Sequence, residues 1–165
     1  MTPVERLLRH DAWAAADGEG EGGPFILRFR TPIIHAGESA EHSHLVTITW
    51  PYAPEGSAAL PDDVTSSVMS VFEDRLCAAW ESDCLAVLTA VLTFDGARQW
   101  VWYTRDVDEC GERINAMPQE AEAYPIELTT EHDPDWNYLR NQILLQVNWQ
   151  EGQAEWQTAL AEALG

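Results

Sequence analysis

Lysine is missing altogether: of the nine basic residues in this 165-residue chain, every one is arginine. Without lysine there is no Walker-type phosphate loop and no Schiff-base chemistry with pyridoxal phosphate or aldolase-type substrates. Positive charge is scarce in general, because 28 acids leave a formal net charge of −19. Nucleic-acid affinity comes largely from basic groups that displace condensed counterions, so nucleic acid is not an expected partner. Basic proteins and divalent cations are what such a field attracts. Three cysteines, Cys77, Cys84 and Cys110, are an odd number with no C-x-x-C spacing, and Met1 is not followed by a basic-then-apolar leader. Both features favour reduced thiols in a cytoplasmic protein. Long apolar runs are absent too, since even "CLAVLTAVLTF" stops at Asp95-Gly96, far short of the roughly 18 residues of a membrane span. No G-x-S-x-G elbow occurs and no cysteine has a nucleophile's surroundings.

What is present reads as one domain, 1–165, long enough to bury roughly 70% of its unfolded surface. Thr2-Pro3 starts a short helix through about Arg9 by capping and N1 proline. The glycine-rich "DGEGEGGP" forms the tip of an N-terminal hairpin, about 11–31, between a strand near Trp13 and "FILRFR"; Glu19 and Glu21 argue against a phosphate cradle there. "HLVTITW" is a strand. "DDVTSSVMSVFEDRLCAAW" is a helix, with Val64, Val68, Val71, Phe72, Leu76, Ala79 and Trp80 recurring at helical spacing. Two strands follow, "CLAVLTAVLTF" and "RQWVWYT", joined at Asp95-Gly96 by a type I′ turn that needs positive φ twice. Asp106 caps a helix in a capping-box spacing with Glu109, and Val107, Cys110, Ile114 and Met117 share one face. "YPIELTTE", with its early Pro125, suits an edge strand. The expected fold is therefore α+β: a ferredoxin-like βαββαβ antiparallel sheet over about 44–131, preceded by the hairpin and followed by C-terminal helices over about 133–165.

Four constellations carry candidate chemistry. Pairing Phe94 with Ala97 across the turn sets Thr89 against Trp102, Val91 against Trp100 and Thr93 against Arg98, with Leu88, Leu92, Val101 and Tyr103 on the other side. Trp100 and Trp102 would then lie on the sheet face that the two helices leave open, where they are covered by other apolar parts of the chain or form a partner or homodimer interface. Arg28 and Arg30, two apart on a strand, form an anion clamp together with Arg98, or they neutralise neighbouring carboxylates. His42 and His44 project alike from an extended segment, near His35, Glu38 and Glu41, and are the only weak candidates for a metal site. Glu131, Asp133 and Asp135 are the one compact carboxylate group near aromatics. Against acid–base chemistry stands a local reading: Asp133 caps a helix, Pro134 occupies N1, Asp135 complements the dipole, and Trp136, Leu139, Ile143 and Val147 form the buried stripe.

"FILRFR", "HLVTITWPY", "FEDRL", "AVLTAVLTFDGARQWVWYTRD", "PIEL" and "DPDW" together resemble the bacterial family called domain of unknown function 695, over about Trp13 to Arg140. The hairpin "TFDGARQWVWY" and the "DPDW" start carry most of the likeness. The family usually places an aromatic three residues after that tryptophan, where this chain has Leu139, with Tyr138 one place earlier. The resemblance implies no catalytic residue. It also implies an architecture similar to the acidic regulator of ribonuclease activity B, which inhibits an RNase by binding it. The expectation is a cytoplasmic, non-enzymatic module without cofactor that binds a protein partner. The alternatives are a metal-dependent hydrolase using His42, His44 and the Asp133 to Asp135 carboxylates, and a binder of a small anion through Arg28, Arg30 and Arg98.

Overall fold

The computed structural model describes residues 2–20, 23–32, 34, 41–54, 60–117 and 124–144. His35, Glu38, Val147 and the helical extension expected beyond Leu144 lie outside them. In chain order the elements are α1 (Pro3–His10), β1 (Ala12–Gly20), β2 (Gly23–Thr31), β3 (His44–Pro51), α2 (Asp63–Glu81), β4 (Ala86–Phe94), β5 (Ala97–Thr104), α3 (Val107–Ala116), β6 (Glu127–His132) and the π-helical α4 (Tyr138–Ile143). The class is α+β: the six strands form one open antiparallel sheet in the order β1-β2-β4-β5-β3-β6.

Local chemistry accounts for several element boundaries. Thr2 and Glu5 form a reciprocal capping box with Pro3 just behind, and Asp11 closes α1 in the left-handed conformation. Asp62 and Asp106 accept the N–H groups of Thr65 and Glu109 at the starts of α2 and α3. The box expected at α3 is not reciprocal: the Asp106 N–H bonds to the Thr104 hydroxyl, and Glu109 reaches forward to Arg113. Asp95 and Gly96 both have positive φ, as a type I′ turn requires.

Helices cover both faces of the sheet. Met69, Phe72, Leu76 and Trp80 of α2, with Cys110 of α3, pack on Val46, Ile48, Trp50, Leu88, Trp100 and Trp102. Val64 and Val71, expected in that stripe, point to solvent, because the helix docks through the 69/72/76/80 line instead. On the opposite face Val4 and Leu7 of α1 and Leu139 and Ile143 of α4 cover Leu27, Phe29, Val101 and Tyr103. Each of the enclosed tryptophans is worth about 3–5 kcal/mol on truncation to alanine.

The expected register between β4 and β5 holds from Phe94–Ala97 to Ala90–Val101 and then shifts. A bulge at Thr89 pairs Leu88, not Thr89, with Trp102, so Leu88 joins the tryptophans on the α2–α3 face. The Thr89 hydroxyl donates to the Val101 carbonyl at 2.8 Å, which satisfies the interrupted ladder from within.

Candidate functional site

Trp100 and Trp102 are fully enclosed, and what encloses them is α2 and α3. They therefore occupy the helix-covered face, not the face expected to lie open. Trp102 stands edge-on to Trp80 at 4.9 Å and Trp100 edge-on to Phe72 at 5.3 Å. The Trp100 indole N–H donates to Glu73 at 2.8 Å; that of Trp102 has no partner among the described residues.

The arginines of β2 are held by α2. Arg28 pairs with Glu73 at 2.6 Å, and the guanidinium of Arg30 is buried between Glu81 and Asp11, at 3.1 Å from each. Arg30 also donates to the carbonyls of Leu7 and Leu88, and its guanidinium lies 4.6 Å from the Trp13 ring centre. Glu81 in turn accepts the Leu88 N–H at 2.9 Å. The bulge removes Leu88 from the β2–β4 ladder, which ends at Phe29–Ala90, and this buried ion pair supplies both of the hydrogen bonds that Leu88 would otherwise lack. Burial raises the Glu81 carboxyl above its ordinary range, against the opposing pull of the Leu88 N–H and Arg30. Arg98, half-buried, donates to Thr93 at 2.9 Å. Arg28 and Arg30 are thus engaged by carboxylates, and Arg98 lies near enough to Arg28 and Glu73 to feel the charge of both.

At the other end of the sheet "DPDW" forms a corner. Asp133 to Trp136 is a turn closed by the Trp136 N–H to Asp133 carbonyl bond at 3.1 Å, so Pro134 sits inside the turn and not at N1 of a helix. The helix begins only after Asn137. Asp133 nevertheless reaches over the turn and accepts the N–H groups of Asn137 and Tyr138, both at 2.9 Å, and the hydroxyl of Tyr103 at 2.7 Å. Trp136 has a φ of 58°, a left-handed conformation that costs a bulky residue about 1–2 kcal/mol. Its ring stacks on Tyr103 at 4.4 Å, about 0.5–1.5 kcal/mol, and its indole N–H donates to the His42 carbonyl at 2.9 Å, about 1 kcal/mol more. Those two contacts offset the strain. The Tyr103 hydroxyl is pushed well above its usual pKa by burial and by Asp133. Asp135 is exposed, and its carbonyl accepts from Arg140.

His42 is buried, and its Nε2–H donates to the carbonyl of Cys84 at 2.8 Å. Burial holds its pKa below 6.5. His44 does not share this environment; its ring meets His132 of β6 at 5.3 Å, a neighbour that sequence spacing did not suggest. Among the described residues no group of three or more histidines, cysteines or acids is arranged to hold a metal. All three cysteines are free, and burial is the largest cause raising each thiol above its ordinary pKa, Cys110 to about 11. That leaves little thiolate at neutral pH.

Fold and site together define a strongly acidic α+β module whose most recognisable sequence features are tied into its own packing. The chain belongs to the family of unknown function DUF695, whose sequence model matches residues 11–144. No curated protein and no solved structure was found to match it. Among the described residues no helix is long and apolar enough to cross a membrane.

Proposed function

We propose that this protein is a binding module that recognises a basic protein partner through its acidic surface. The observation that carries the proposal is where the scarce positive charge goes. Arg28, Arg30, Arg105 and Arg113 all face carboxylates of the same chain, and Arg140 is taken up by the carbonyls of Ile34 and Asp135. A net charge of −19 is thereby left to act outwards, where it steers association with a basic surface. The residues with the best claim to chemistry are spoken for: Asp133 holds a helix start and Tyr103, and His42 holds the turn between α2 and β4. The order β6-β3-β5-β4, antiparallel throughout, with α2 and α3 on one face, supports reading the central unit as ferredoxin-like. Three free thiols support a reducing, cytoplasmic setting.

Affinity purification at low and at high salt tests the reading. The expected result is a stoichiometric basic partner that dissociates as salt rises; no specific partner, or binding indifferent to salt, rejects it. Metal analysis of the purified protein is the second arm. Stoichiometric zinc, manganese or iron would favour a metal-dependent enzyme instead.

A further inference from the structure

A groove runs between β6 and α3. Among the described residues β6 is the last strand of the sheet, bonded to β3 on one side only, and all six of its residues are exposed. An edge strand with unpaired backbone N–H and C=O groups is a template for another strand. Beside it lies a cavity of about 360 Å³ lined by Gly111 and Ile114 of α3 and by Tyr124, Ile126 and Leu128. Leu128 is 41% exposed there, although its cross-strand partner Ile48 is fully buried. Gly111 is the unexpected member. A glycine inside a helix costs about 1 kcal/mol relative to alanine, yet a Cβ at Gly111 would meet nothing within 4 Å. No neighbour demands the glycine, and its omission of a side chain leaves the cavity open.

Resting on the binding reading above, we infer that this groove takes an extended basic segment of a partner protein as a seventh strand, antiparallel to β6. Pairing along β6 supplies backbone hydrogen bonds, and alternation of side chains sets the sequence preference. Leu128 faces the cavity, so the partner residue opposite it is apolar and enters the pocket. Glu127 and Glu131 lie on the other face, four apart, so the residues opposite them are basic. Read from N to C, the bound segment is basic, any, any, apolar, basic. A second copy of this chain is a poor occupant: pairing β6 with itself about a two-fold at Thr129 would set Glu127 against Glu131 of the other copy.

The probe is a fluorescent nonapeptide centred on Lys-Val-Thr-Leu-Lys, followed by anisotropy against the full chain at several salt concentrations, with Glu-Val-Thr-Leu-Glu as control. Saturable, salt-weakened binding of the basic peptide alone is expected. Gly111→Leu, whose Cβ has open space and whose side chain is placed at the cavity wall, should weaken it about tenfold or more while leaving the melting temperature intact or raised. The pair Glu127→Arg and Glu131→Arg should transfer preference to the acidic peptide. No saturable binding of the basic peptide, or binding untouched by Gly111→Leu, overturns the groove. A salt-sensitive partner recovered by purification whose binding ignores all three substitutions would leave the binding reading standing and the groove wrong. Self-association abolished by Gly111→Leu would put a second copy in the groove and overturn the basic-segment assignment.

Discussion

The two ends of the sheet treat charge in opposite ways. At the β1–β2 end, Arg28 and Arg30 lie against Trp13 and between Glu73, Glu81 and Asp11, and the Arg30 side chain is 3% exposed. At the β6 end, Glu127 and Glu131 stand on a strand with no residue buried. The first end spends its charges on structure. Its ion pair is worth keeping because the bulge at Thr89 leaves a buried N–H and a buried carbonyl at Leu88 that only groups of opposite polarity can satisfy. The six residues of β6 are all exposed, so the charges of Glu127 and Glu131 face solvent, where they can act on other molecules. One chain thus uses the same residue types for specifying a register and for presenting a surface, and burial alone separates the two uses.

The largest expected effect breaks the first end. Arg30→Met should cost about 3–5 kcal/mol, since it leaves Glu81 buried without a counter-charge and the Leu88 carbonyl without a donor. Adding Glu81→Leu should restore part of that loss, and urea denaturation of the single and double variants measures the coupling. Next comes the corner that ends β6, where Asp133→Ala should cost about 2–3 kcal/mol by leaving the Tyr103 O–H and two backbone N–H groups at the helix start without an acceptor. That exceeds the loss of an ordinary cap, about 1 kcal/mol, and thermal melts distinguish the two. Gly111→Ala should act in the other direction, raising stability by up to about 1 kcal/mol.

A smaller effect comes from pH. The folded pKa of His42 lies below its unfolded value of 6.5, so below that pH the unfolded chain binds the proton more readily. The His42 contribution is complete above pH 6.5 and is lost as pH falls through the folded pKa. Urea midpoints between pH 7.5 and pH 5 should decline, and His42→Gln should flatten the slope. The smallest effect sharpens the contrast between the ends: Glu127→Gln and Glu131→Gln should each change stability by less than about 0.5 kcal/mol. A larger loss from either would mean that β6 carries structural charge after all.

How much of this was legible in the sequence depends on how far each residue's partner lies along the chain. Thr2 with Glu5, Asp62 with Thr65 and Asp95 with Gly96 are contacts within three residues, and their types alone dictate a cap or a turn. The bulge was not legible, because Thr89, Arg30 and Glu81 resolve it jointly from three elements. "DPDW" was legible in part. Aspartate before proline fits both a capped helix and a turn with a left-handed fourth residue, and the choice between them rests on Tyr103, thirty residues earlier, and on the His42 carbonyl. The helix–sheet faces were misassigned for a related reason: a period-two pattern says that Trp100 and Trp102 share a face with each other, not which face the helices take.

The sequence by itself determined the acidity, the arginine-only basic set, the element order and the local starts and stops, because these follow from composition and from contacts a few residues long. Only the tertiary structure decided which charges are enclosed and which face solvent, which side of the sheet holds the tryptophans, and that β6 is the last strand among the described residues, beside a cavity. The physical reason is desolvation. The cost of a buried charge, and the availability of an exposed one, depend on neighbours that the chain brings together only when it folds.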